Sequence, residues 1–236
     1  MIAGLQKMTL LDFPGKVACT VFLQGCNFRC PFCHNSSLLG AGEDTPISRE
    51  ELLTFLKKRQ GLLDGVCITG GEPTLSPELR PLLQEIKALG FAVKLDTNGS
   101  RPEILKELVN DGLVDYVAMD IKNCPDRYRE TTGCDRLDLS KIEESMVFLM
   151  EGDLDYEFRT TVVQEFHTAQ DMDSIGRWFR KLCPDREVKK YFLQPFVESD
   201  RVLSGGLHTP ERTQLLNFLD AAKKYVHSTE IRGLTL

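Results

Sequence analysis

With 236 residues the chain can form one large domain or two small ones, and 42% hydrophobic with 27% charged residues is ordinary for a soluble globular protein. A formal net charge of −6 gives no electrostatic reason to expect nucleic-acid binding, and the longest uncharged stretch near the N-terminus, Val17 to Phe28, is roughly half of what a bilayer requires. The opening "MIAGLQKMTLLDFPGK" has neither a basic start nor an apolar segment with a cleavage site, so we read no signal peptide and expect a cytoplasmic protein, where eight cysteines are more naturally ligands or buried thiols than disulfide partners.

Strand-like and helix-like segments alternate along the chain. "KVACTVFLQG" (Lys16–Gly25) is β-branched and apolar, as a buried strand should be. "SREELLTFLKK" opens with Ser48 and has Glu51 three positions on, a capping-box start to a helix. "GVCITGG" reads as strand and turn, and "SPELRPLLQEIKALG" as a helix with Pro77 in its first turn and Gly90 closing it. "FAVKLDTNG" is a strand, "RPEILKELVNDG" a helix and "VDYVAMDIK" a strand. "DLSKIEESMVFLMEG" is helical, "DYEFRTTVV" a strand, "AQDMDSIGRWFRKLC" a helix and "EVKKYFLQPF" a strand. The helix "TPERTQLLNFLDAAKKYV" then precedes a short strand, "EIRGL". Six βα units predict a parallel sheet with helices outside, and chemistry at the C-terminal strand ends; periodicity does not choose between an open sheet and a barrel.

Each chemical motif falls at such an end. After the first strand, "GCNFRCPFCHN" places Cys26, Cys30 and Cys33 at C-x3-C-x2-C spacing, with no fourth cysteine before Cys67. Three close thiolates suit zinc or an iron–sulfur cluster, but a structural zinc wants four protein ligands. His34 adjoins Cys33, which makes ligation by both awkward. A [4Fe–4S] cluster on three cysteines keeps one iron open for a substrate. Three plain reduced thiols and structural zinc are the competing readings. "TGGEP" (Thr69–Pro73) ends the second strand, and paired glycines let a backbone approach a ligand or simply turn.

C-x3-C-x2-C followed by "GGEP" resembles the radical S-adenosylmethionine enzymes. The resemblance covers most of the chain and is densest over "GLQKMTLLDFPGKVACTVFLQGCNFRCPFCHN", which looks like the opening of glycyl-radical-enzyme activases, in particular those of anaerobic ribonucleoside-triphosphate reductase. It implies a partial (β/α)6 TIM-like barrel in one domain over residues 1–236, with a core of about 16–200 and a C-terminal helix and strand over about 209–236. Cys26, Cys30 and Cys33 would hold the cluster, whose open iron chelates the methionyl amine and carboxylate of S-adenosylmethionine. Phe32 would contact adenine; Gly70 and Gly71 would lie against the methionine amino group, with Glu72 fixing the turn. Asp96 and Thr97 of "LDTNG", with Asp120 of "MDIK", would lie near the methionyl end and a monovalent cation, and Lys122 would contact the cofactor. As a plain reading, "DTNG" is a good turn sequence.

Arg159 on a buried strand needs an anion, which cofactor, bound peptide or an internal salt bridge would supply. His167 and His208 have no partner pattern and are expected at the surface. Cys19 and Cys67 should be buried thiols; Cys124, Cys134 and Cys183 show no motif. The family's activity is reductive cleavage of S-adenosylmethionine and hydrogen abstraction from a glycine of a partner enzyme, with flavodoxin or ferredoxin as electron donor. The alternatives are a radical S-adenosylmethionine enzyme acting on a nucleoside or pterin-like small molecule, and a non-enzymatic iron–sulfur or zinc module.

Overall fold

The computed structural model describes residues 1–40, 46–199 and 202–233. They form two compact units: the described residues within 1–27, 37–97 and 101–118 make the first, and those within 28–36, 98–100 and 119–233 the second.

In the first unit, strand β1 (Ile2–Thr9) lies antiparallel to β2 (Ala18–Leu23), and β2, β3 (Gly65–Gly70) and β4 (Ala92–Thr97) run parallel in chain order. The central strands are buried almost throughout, which is why they read as continuous apolar runs rather than alternating ones. Helices α1 (Arg49–Lys57), α2 (Leu79–Ala88) and α3 (Pro102–Asn110) fill the crossovers. Ser48 and Glu51 form the expected capping box on α1. Pro77 falls two residues before α2, not within its first turn, and Glu78 occupies the cap position. β1 has no counterpart among the predicted strands: Gly4 and the run Gln6-Lys7-Met8 break its apolar pattern, and Gln6, Lys7 and Met8 are exposed.

β5 (Tyr116–Asp120) carries the chain from the first unit into the second. There, α4 (Tyr128–Thr132), α5 (Leu139–Glu151), β6 (Asp155–Val162), α6 (Ala169–Leu182), β7 (Tyr191–Pro195), α7 (Arg212–Lys223) and β8 (Thr229–Ile231) follow, with β6, β7 and β8 parallel in chain order. The predicted last strand thus starts one residue earlier and ends at Ile231; Leu234 of "EIRGL" lies outside the described residues. α4 is a single short turn, too brief for its periodicity to register. The core of this unit includes Phe158 stacked on Phe179, with ring centroids 5.1 Å apart, and Tyr191 edge-on to Phe179. Among the described residues no helix is long and apolar enough to cross a membrane.

Candidate active site

In the first unit the "TGGEP" turn is locked against the chain that leads into Cys26. The Gly71 N–H donates to the Leu23 carbonyl (2.9 Å) and the Glu72 N–H to the Gly25 carbonyl (2.7 Å). An added Cβ on Gly71 would stand 2.1 Å from the Gly25 oxygen, and one on Gly70, whose φ is +125°, 2.2 Å from the Leu23 oxygen. Both glycines therefore serve a backbone-to-backbone contact beside the first cysteine, a use that the paired-glycine pattern left open. Glu72 is buried at 1% exposure, and its Oε1 accepts from the Thr74 N–H (3.1 Å), the Thr74 hydroxyl (2.5 Å) and the Thr97 hydroxyl (2.8 Å). One carboxylate oxygen thus joins the end of β3 to the end of β4.

Also on β4, the Asp96 carboxylate is paired with the Lys94 ammonium, and the Cys67 thiol of β3 lies 3.7 Å from Asp96 Oδ1 and 3.8 Å from Lys94 Nζ. Cys19 and Cys67 are fully buried, as expected; burial pushes the Cys19 thiol up to about 12, so it stays protonated at neutral pH.

The second unit holds the rest of the cysteine loop. The Arg29 N–H donates to the Thr132 carbonyl at the end of α4 (2.8 Å). Gly133, in the left-handed region at φ +59°, permits this approach, since a Cβ there would meet the Arg29 oxygen at 2.6 Å. The Cys33 N–H donates to the Cys30 carbonyl, turning the loop, and the Ser204 N–H donates to the Pro31 carbonyl. Phe32 is buried against Phe166 and His167, with centroids 5.7 and 6.1 Å away. His34 Nε2 lies 2.6 Å from the Val197 carbonyl and its ring 5.2 Å from that of Phe196, so this histidine is engaged by the segment after β7.

At the end of β5, Asp120 receives two cations: Lys122 Nζ at 2.9 Å from Oδ2 and Arg159 Nε at 2.9 Å from Oδ1. Burial alone would raise the Asp120 carboxyl, but the guanidinium and ammonium outweigh it and hold the group down to about 2. Burial works against the Lys122 charge, which the Asp120 carboxylate restores, so its pKa is raised. Arg159 thus has its internal salt bridge, one of the readings its sequence position left open.

His167 corrects the expectation of a surface residue: it is 2% exposed. Its Nδ1 accepts from the Val163 N–H (3.1 Å), which leaves Nε2–H to donate to the Lys122 carbonyl (2.9 Å). Burial lowers its pKa, so the neutral imidazole ties the end of β6 to the end of β5 while its ring packs on Phe32. Nothing in "EFHTAQ" marks this, because the partners are backbone groups 45 residues apart or one turn away. His208 is at the surface, its Nδ1 2.6 Å from Glu165 Oε1.

All eight cysteines are free thiols. Cys26 falls in the first unit and Cys30 and Cys33 in the second, and among the described residues no three His, Cys, Asp or Glu side chains are gathered as a metal site. The fit to a cluster rests on the donor set: three soft thiols within eight residues, none consumed in a disulfide, with Cys26 and Cys33 partly exposed. That set suits a cluster with one iron left to another ligand better than a four-ligand zinc.

Residues 20–178 match the family model described as the radical SAM superfamily. A Methanocaldococcus jannaschii protein, named provisionally as glycyl-radical enzyme activating enzyme MJ1227, is 30% identical over 99% of this chain and 96% of its own. The pyruvate formate-lyase-activating enzyme of Clostridium pasteurianum is 35% identical over 56% of this chain and 57% of its own. Streptococcus suis SuiB, in a crystal structure bound to S-adenosylmethionine, shares the fold at a TM-score of 0.68 and 11% identity over 91% of this chain and 52% of its own. The α/β fold with parallel strands is therefore of the radical SAM type, a family that uses a [4Fe–4S] cluster and S-adenosylmethionine. From its strand-end motifs, its three free thiols and its match over two thirds of its length, the chain belongs to the radical SAM superfamily.

Proposed function

We propose that this chain is a glycyl-radical-enzyme activating enzyme, a single radical SAM domain acting on a partner that is an anaerobic ribonucleoside-triphosphate reductase. The relative matched over nearly the whole of both chains, whose name carries that activity, is the observation that supports the reading most. Cluster and S-adenosylmethionine together supply one-electron cleavage of a sulfonium S–C5′ bond and a carbon radical able to take a hydrogen atom from a glycine Cα.

Cys26, Cys30 and Cys33 are the proposed cluster ligands. The Gly70–Gly71–Glu72 turn, held by Thr74 and Thr97, fixes the backbone next to Cys26. Asp96 and Thr97 offer acceptors to the methionyl end, and Lys122, kept cationic by Asp120, offers its charge to a carboxylate. Phe32 gives the adenine an apolar wall, backed by Phe166 and His167. The electron arrives from a flavodoxin or ferredoxin.

The test is anaerobic incubation of reconstituted protein with S-adenosylmethionine, reductant and the candidate reductase. A glycyl-radical doublet in the electron paramagnetic resonance spectrum of the partner is the expected result. Cofactor cleavage without that doublet would overturn the activase reading in favour of a small-molecule substrate.

A further inference from the structure

Lys94 is an unusual residue for its place. It lies in the interior of β4 with its side chain 2% exposed, where a lone ammonium would be strongly disfavoured. Two positions along the same strand, and so on the same face, stands Asp96, whose carboxylate it pairs with. The Cys67 thiol on the neighbouring strand completes the group, 3.8 Å from Nζ. The resemblance to the activases implies a monovalent cation beside the aspartates, and the residues present do not fit one at Asp96. The carboxylate already faces a fixed ammonium inside the protein, and a second cation brought to it would meet that charge at short range with little solvent between. At Asp120 the same holds, since Lys122 and Arg159 each contribute a cation.

We propose that Lys94 is the built-in counter-ion of Asp96, a positioning residue that holds this carboxylate in place and takes the role a bound monovalent cation would have. The inference rests on the reading of Asp96 as a cofactor-side residue, and it makes cofactor binding by this chain indifferent to potassium and sodium. Cys67 adds a weak thiol donor to the Asp96 carboxylate.

The experiment compares wild-type protein with Lys94→Met, each carrying its cluster, in potassium chloride and in tetramethylammonium chloride of equal ionic strength. Two quantities are read: the thermal midpoint and the Kd for S-adenosylmethionine. Wild type should give the same values in both salts. Lys94→Met should bind the cofactor about tenfold more weakly in tetramethylammonium, with most of that decade and a raised midpoint recovered in potassium. A merely structural lysine would give a loss that potassium does not repair. Lys94→Met/Asp96→Asn, which removes both charges, should fold in either salt and respond to neither.

A wild-type Kd that requires potassium overturns the proposal, as does a Lys94→Met protein equally impaired in both salts, whether folded or not. Absence of any S-adenosylmethionine binding by wild type would instead refute the cofactor reading. The thermal comparison would then still decide whether Asp96 needs a cation that Lys94 supplies.

Discussion

Replacing Gly71 with alanine probes the contact that sets the backbone beside Cys26. The new Cβ would lie 2.1 Å from the Gly25 oxygen, 2.6 Å from its carbonyl carbon and 3.2 Å from the Cys26 nitrogen. Comfortable carbon contacts lie at ~3.5 Å, so the two segments must separate by roughly 1.4 Å. Every atom met is backbone, so no side chain can swing aside. Separation would stretch the two hydrogen bonds Gly71 N–H to Leu23 O and Glu72 N–H to Gly25 O. Overpacking costs about 1–3 kcal/mol and each of the two weakened hydrogen bonds about 0.5–1.5 kcal/mol, so a loss of about 2–6 kcal/mol is expected. At this chain length that is a fall of about 4–24 °C in Tm. Differential scanning calorimetry of the cluster-free protein reads it. Gly205→Ala, where an added Cβ meets nothing within 4 Å, is the matched control and should be near neutral. After anaerobic reconstitution, Gly71→Ala should also hold less iron. A Gly71→Ala protein as stable as the control would refute the view that these glycines exist for backbone packing.

Further expectations concern the buried charges. Glu72→Gln should lose about 2–3 kcal/mol in urea unfolding, since the neutral amide oxygen accepts from Thr74 and Thr97 more weakly than the charged carboxylate oxygen does. Asp120→Asn strips Lys122 and Arg159 of their shared anion and should cost about 2–4 kcal/mol. Because the folded carboxyl titrates near 2, below its ordinary 3.8, the stabilisation Asp120 gives is complete above about pH 4 and is lost as pH falls toward 2. His167 titrates below its ordinary 6.5 when folded, so its contribution is present above that pH and is lost as pH falls from 6.5 toward the lowered value; His167→Gln should flatten this part of the stability–pH curve.

Much of the scaffold was legible in the residues. Helices α1 to α3 and α5 to α7 carry strong periodicity and, in α1, its full capping box. The central strands are apolar runs because helices and neighbours bury both faces. What escaped had weak local signal: β1 is half exposed, and α4 is one turn closed by Gly133 for the sake of Arg29 more than a hundred residues earlier. The same divide runs through the site. The cysteine triplet and "TGGEP" announce themselves by spacing, whereas His167 is held by two backbone groups and Lys94 by a strand neighbour, pairings that only the folded chain creates. Arg159 lay between: burial demanded an anion, and Asp120 is an anion that the fold presents to it.

On the proposed function, Cys26, Cys30 and Cys33 build a cluster with one iron open to S-adenosylmethionine. Anaerobically reconstituted protein should contain about four iron and four sulfide per chain. The electron paramagnetic resonance spectrum of the reduced protein should change when S-adenosylmethionine is added, and both results should be absent in Cys30→Ala. Stoichiometric zinc with no iron, or a Cys30→Ala protein with full iron content and an unchanged response to the cofactor, would contradict the account.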